Sequence, residues 1–212
     1  MPQVHPTREK ILDAAELLFA ETSYDAVSIR QIAAAAEVQL SLVTYHIGNK
    51  EKLYYEVIER RVSVLSESRL DRLQAALDAN GGEPLPLRRI VEAFIEPYVH
   101  HSLTGGPGWK AYARLVARMS ANPHVTTAIV DLFDPPGRIF LREMQRSMPR
   151  ASEAQVLWGF TFMVCVMAGT LAENGRIDGL SGGRVRSSDI GAACAEMIPF
   201  VTAGLQAVGS RS

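Results

Sequence analysis

At 212 residues, with 47% hydrophobic and 21% charged side chains, the chain is long enough to bury its own core and too apolar for a disordered segment. A formal net charge of −1 excludes a polybasic coat as the means of holding nucleic acid. Cys165 and Cys194 lie far apart in apolar segments, without metal spacing or neighbouring histidines, which points to buried reduced thiols and away from a disulfide scaffold.

The chain reads as all-α, with helical periodicity almost throughout and no sustained alternation of strand type. A first helix spans 7–21, opened by Thr7, with Ile11, Ala15, Leu18 and Thr22 on one face and Leu12 and Phe19 beside them. Ser28 and Gln31 form a Ser-x-x-Gln capping box for a second, short, alanine-rich helix over 29–36. A turn at Glu37 and Val38 leads to a third short helix over 39–47. Gly48 suits its C-terminal cap, and Asn49 caps the next helix. That fourth helix runs over 50–78 and stops at Asn80-Gly81-Gly82.

Beyond this boundary a helix over 86–102 carries Pro97 inside it, where a kink is expected. Helices over 109–120 and 123–133 follow the glycine-rich loop at 104–108, with Asn122 before Pro123. Asp134-Pro135-Pro136-Gly137 is expected to break the chain before a helix ending near Ser147. An uncharged apolar helix follows the Ser152 cap and runs to about Glu173. The polar segment 174–187 reads as the longest loop, and 189–208 as the last helix.

Two short helices separated by a tight turn between Ser28 and Ile47 fit a helix-turn-helix, whose second helix enters the DNA major groove. Charge gives no help. In residues 1–60 the acids Glu9, Asp13, Glu16, Glu21, Asp25, Glu37, Glu51, Glu56 and Glu59 outnumber Arg8, Lys10, Arg30, Lys50, Lys52 and Arg60. Where the bases sit must therefore carry the contact. The stretch TREKILDAAELLFAETSYDAVSIRQIAAAAEVQLSLVTYHIGNKEKLY resembles the DNA-binding domain of the tetracycline-repressor (TetR) family over its whole span. It departs from that pattern at Glu37 (glycine in the family), Gln39 (serine) and Ile47 (phenylalanine).

The resemblance implies DNA-binding roles for Arg30, Leu40, Ser41, Leu42, Thr44, Tyr45, His46 and Lys50. Chemistry agrees. Arg30 suits a phosphate or a guanine edge, Ser41 and Thr44 a phosphate or a base, and Tyr45 and His46 phosphates. Leu40 and Leu42 either touch thymine methyls or pack inward, while Val43 is core. Lys50 sits at a helix N-terminus, where its ammonium and the free amides both suit a phosphate.

The stretches PLRRIVEAFIEPYV, GWKAYARLVARM and FDPPGRIFLREMQRSMP are similar to sensor domains of the PsrA-like branch, which implies a fatty-acid or acyl effector. Candidate ligand-binding residues are Phe94, Tyr98, Trp109, Tyr112, Leu115, Met119, Phe133, Phe140, Met144, Trp158, Phe162 and Met163, an apolar set rich in aromatic rings and adaptable methionines. The last two long helices, with Gly159, Ala168, Gly169, Gly191, Ala192, Ala193 and Ala195 allowing close approach, suit a two-fold four-helix bundle between subunits.

The expected organisation is thus a helix-turn-helix domain at 1–50 and a helical ligand-sensing and dimerisation domain at 51–212, linked by the helix 50–78. The expected molecule is a cytoplasmic homodimeric repressor on a palindromic double-stranded DNA operator, released by a small hydrophobic effector. No signal-peptide pattern opens the chain, and His5, His100, His101 and His124 lack ligand spacing, so neither export, nor metal, nor cofactor is expected. Two rivals stand: a helical enzyme acting on a hydrophobic acyl substrate, and a membrane protein spanning at 154–172.

Overall fold

The computed structural model describes residues 6–119 and 123–210, without the side chains of 123–129. The described residues form ten helices: α1 (Pro6–Glu21), α2 (Ile29–Ala35), α3 (Leu40–His46), α4 (Lys50–Ala79), α5 (Leu87–Thr104), α6 (Pro107–Met119), α7 (Pro123–Ser147), α8 (Glu153–Leu171), α9 (Arg176–Ser181) and α10 (Ile190–Gly209). They divide into two compact units, the first comprising Met1–Ser63 and Gly106–Leu132, the second Val64–Gly105 and Phe133–Ser212. Neither unit is a single stretch of chain. α6 packs on α1 and so belongs with the helix-turn-helix, although the sixty residues 47–106 separate it from α3. The division at residue 50 thus remains a proposal about function, distinct from this grouping by contact.

In the first unit, Ile11, Leu12, Ala15 and Phe19 of α1 meet Ile32, Val43, Leu53, Val57 and Ile58, all essentially inaccessible. This is the apolar face read from the first helix, closed by one or two anchors from each short helix. Phe19, Tyr24 and Tyr54 make an aromatic triad with centroid separations of 4.9–6.0 Å. Burial pushes the Tyr54 phenol well above its usual range.

The second unit is built on contacts of α10 with α5 and α8. Gly159 lies where α8 meets α10, and a methyl there would come within 2.7 Å of Leu205 Cδ2. Gly159 and Ala168 therefore serve approach inside the chain, while Gly169, Gly191, Ala192 and Ala195 face outward. Arg69 is buried, its guanidinium 3.7 Å from the Phe94 ring centroid and its Nε donating to the Phe94 carbonyl at 2.7 Å.

Four expectations need correction. Asp134-Pro135-Pro136-Gly137 does not break the chain, because α7 continues through both prolines. The carbonyls deprived of donors belong to Asp131 and Leu132, of which Asp131 is exposed and open to water. Arg138 bridges back to Asp134 at 3.2 Å, and the Phe160 ring lies against Gly137. The segment 174–187 is not all loop, since it holds α9 between the left-handed Gly175 and Gly182 and is clasped by the Ser187 amide donating to Asp178 at 2.8 Å. Cys194 is buried as expected but Cys165 is exposed. Thr7 is not a cap, for α1 already starts at Pro6. The expected helix end at Ser120, the cap at Asn122 and the side chains of His5 and His124 lie outside the described residues.

Candidate nucleic-acid interface

The helix-turn-helix is assembled by local chemistry that the sequence carries. Ser28 caps α2 through its hydroxyl, which accepts from the Gln31 amide at 3.2 Å, while Gln31 Oε1 accepts from the Ser28 amide at 2.8 Å. α2 ends in a double closure: the Val38 amide donates to the Ala33 carbonyl at 3.0 Å and the Glu37 amide to Ala34 at 3.2 Å. This Schellman pattern requires a left-handed residue, and Glu37 supplies it at φ 56° without being glycine. Gln39 precedes α3 with extended backbone and makes no side-chain cap bond. Asn49 caps α4 by accepting from the Lys52 amide at 2.8 Å.

α3 is fixed from one side only. Val43 and Ile47 are buried at 0% and 2% exposure, whereas Tyr45 is 82% exposed and Leu40 and Leu42 are 42% and 36% exposed. Ser41 and Thr44 are exposed with them, and His46 is half-buried with its ring edge-on to Tyr45. The two leucines left open between core and surface thus stand at the surface. Exposed leucines flanking an exposed tyrosine on a two-turn helix cost free energy in water and can recover it against base methyls and sugar-phosphate.

The cations are mostly engaged by neighbouring acids. Arg8 pairs with Glu56 at 3.1 Å and with Glu9 at 3.5 Å, and Lys52 approaches Glu56 at 3.9 Å. Lys50 lies with Nζ 4.4 Å from the centre of the Tyr24 ring and donates to the Asp25 carbonyl at 3.4 Å, which pins its ammonium against the connection between α1 and α2. Arg30 is exposed and makes no ion pair among the described residues.

Sequence reasoning missed the buried charge in this unit. Glu16 is 1% exposed on the apolar face of α1 and receives two arginines of α4, Arg60 and Arg61. Arg61 donates to its two oxygens at 2.7 and 2.6 Å, and Arg60 at 2.8 Å. The signal was legible, since an acid stood between Leu12 and Phe19 on a face otherwise apolar.

The twelve candidate ligand residues do not gather in one place. Phe94 and Phe140 are buried edge-on at 5.0 Å, joined at 5.3 Å by Phe160, which sequence reasoning passed over. Tyr98, Met144 and Met163 are buried in the same second unit, and Phe133 is half-buried. Trp109, Tyr112, Leu115 and Met119 are instead core residues of the first unit, with Trp109 edge-on to Tyr112 at 5.8 Å. Trp158 and Phe162 stack on each other on the outside of α8, 61% and 55% exposed. An open groove of about 1380 Å³ lies along α8, α9 and α10, and none of the twelve lines it. Among the described residues no cluster of histidine, cysteine and carboxylate suits a metal.

Comparison with known proteins agrees with this architecture in both halves. The family model described as bacterial regulatory proteins, tetR family, matches residues 11–57, and that of the tetracyclin repressor-like C-terminal domain matches residues 92–204. An HTH-type transcriptional repressor of Mycobacterium tuberculosis is 41% identical over 76 residues, 34% of this chain and 40% of that protein. The repressor NicS of Pseudomonas putida is 30% identical over 100 residues, 47% of this chain and 45% of its own. The chain thus spans less than half the length of these curated relatives. Among solved structures, the regulator FadR from Bacillus subtilis in complex with stearoyl-CoA superposes with a TM-score of 0.64 at 14% identity, covering 92% of this chain and 98% of that one. A TetR-like regulator from Rhodococcus gives 0.59 at 20% identity, covering 97% and 98%.

Proposed function

This chain belongs to the tetR family of bacterial regulatory proteins, and on that premise we propose that it is a cytoplasmic DNA-binding repressor, acting as a homodimer on a palindromic operator and released by a small hydrophobic effector. The observation that carries the DNA-binding part is α3. Leu40, Ser41, Leu42, Thr44 and Tyr45 stand exposed on a helix locked by Val43 and Ile47. Arg30 and Lys50 are the proposed phosphate contacts, Lys50 as the first residue of α4 with its ammonium held by Tyr24 and the Asp25 carbonyl. Tyr45 and His46 add hydroxyl and ring donors to the backbone, and the leucines read thymine methyls. A gel-shift titration on DNA from upstream of the protein's own gene tests this; absence of any sequence-specific complex at low salt sinks it.

Dimerisation accounts for the outer faces of α8 and α10. These two helices are long and apolar enough to cross a bilayer by length and composition, and they leave Leu157, Trp158, Phe162 and Phe200 at the surface. A second copy laid against them buries those side chains in a two-fold bundle. A membrane span is the competing use of the same helices. A detergent-free supernatant after ultracentrifugation that holds a species of twice the chain mass decides for the dimer.

The effector is proposed to be a fatty acid or acyl compound. The aromatic and methionine interior around Phe94, Phe140, Met144 and Met163 supports an adaptable apolar ligand, as does the fold shared with a regulator solved with stearoyl-CoA. Such a ligand dissociates the DNA complex only by preferring the arrangement that does not bind DNA. Acyl-CoAs of graded chain length, added to the gel-shift complex, test the assignment.

A further inference from the structure

We infer that Glu16, Arg61 and Gly108 form a positioning joint that couples α6 to the DNA-binding helices, and that this reading rests on the proposed regulatory function. α6 lies far along the chain from α2 and α3, yet it packs against α1 in the same compact unit. The contact is not merely apolar. The Glu16 carboxylate, buried on α1, accepts two bonds from Arg61 and one from Arg60, both on α4. The start of α6 lies against this pair: a methyl on Gly108 would come within 2.1 Å of Arg61 Nη2 and 2.7 Å of Glu16 Oε2. The next residue, Trp109, is 4% exposed and lies with its ring centre 5.2 Å from the Arg61 guanidinium carbon.

Three helices therefore meet at one guanidinium. Arg61 is bidentate to α1 through Glu16 and stacked on α6 through Trp109, while its own backbone belongs to α4. A long flexible side chain normally yields to an intruding methyl by rotating away. This one cannot do so without breaking both of its own bonds to a buried carboxylate, which would keep only the single bond from Arg60. Any shift of α6 along its axis drives Gly108 into the pair or withdraws Trp109 from it, so that α1 and α4 feel the shift together. α1 in turn carries the core against which α2 and α3 are set. The joint holds α6 in the arrangement that binds DNA, and a side chain that props it open mimics release.

The test uses the full chain with its own Trp158 for DNA binding and amide exchange, and a Trp158→Phe background, which leaves Trp109 as the sole tryptophan, for the emission measurement alone. Gly108→Ala and Glu16→Gln are each expected to weaken binding to the upstream duplex about tenfold at unchanged helical circular dichroism. Arg61→Lys, which keeps charge but not the two-pronged contact, falls between them and the parent. In the absence of DNA, Gly108→Ala is expected to shift the Trp109 emission and to speed amide exchange in α1, α4 and α6 together. Affinity within twofold of the parent for all three variants overturns the joint, as does faster exchange confined to α6. A parent protein that forms no specific complex overturns the functional reading instead, and the exchange and emission measurements then decide the joint alone.

Discussion

Glu37 sits at a backbone position that favours glycine, and this single residue sets the turn between the two helices of the DNA-binding motif. Its φ of 56° is the left-handed conformation in which an L side chain crowds its own carbonyl. Glu37→Gly is expected to stabilise the chain by about 1 kcal/mol, read as a higher denaturation midpoint at unchanged slope. A neutral or destabilising result would mean that the Glu37 side chain contributes something its exposed position does not reveal. At the same scale, Arg30 is exposed and outside any ion pair among the described residues, whereas Arg8 and Arg60 are held by Glu56, Glu9, Asp13 and Glu16. Removing a phosphate contact should therefore show in the salt dependence. Arg30→Ala is expected to flatten the slope of log affinity against log salt by about 0.9 per subunit, a change measurable by fluorescence anisotropy across a salt series.

Among the elements, α7 is where the pattern of residues misled most. A Pro-Pro pair followed by glycine has every local property of a break, yet the helix runs through it. An exposed Asp134–Arg138 pair one turn apart and the Phe160 ring against Gly137 accompany the missing donors. Because prolines inside a helix remain costly, Pro135→Ala with Pro136→Ala is expected to raise the thermal midpoint by several degrees. If calorimetry finds it lowered, the pair is acting as a turn. The α9 segment makes a second case, ordered by the Ser181 hydroxyl bonded to Val185 and by a clasp between Ser187 and Asp178. The hydroxyl and amide of Ser187 hold the Asp178 carboxyl below the usual carboxylate value. The folded value being lower than the unfolded one, the clasp contributes fully above the ordinary carboxylate range and is lost as pH falls through the depressed value. The Ser187 amide shift followed by NMR should titrate with a midpoint under that ordinary range; a midpoint at or above it removes the clasp.

At the scale of the molecule, the exposed apolar faces of α8 and α10 decide how the chain exists in solution. Trp158 and Phe162 stack on one face of α8, and Cys165 follows at the spacing of the next turn on the same side. Trp158→Glu with Phe162→Glu is expected to halve the mass measured by light scattering and to make the Cys165 thiol reactive, with Cys194 unreactive in both forms because burial raises its thiol. Retention of the larger mass with both charges in place would locate the subunit contact elsewhere. The same faces explain why composition alone left a membrane span open. A helix pair with one side against its own core and one side bare has the hydropathy of a span, and only the placement of Val156, Met163 and Met167 toward the core distinguishes the two sides.

Most of the DNA-binding unit was readable from residues in order. Its capping box, its Asn49 cap, its buried Val43 and the place of its turn follow from neighbours, and neighbours are what a sequence displays. The helical class followed from periodicity for the same reason. What only the tertiary structure decided lies between distant residues. It set Glu16 under Arg60 and Arg61, and it brought Gly108 and Trp109 of α6 to the helix-turn-helix rather than to the second unit. It also carried α7 through its prolines and split the expected ligand residues between two cores. These outcomes depend on which apolar face meets which. That is settled by packing of the whole chain, where a buried carboxylate or a helical proline is tolerated once its partner, far off in sequence, has arrived.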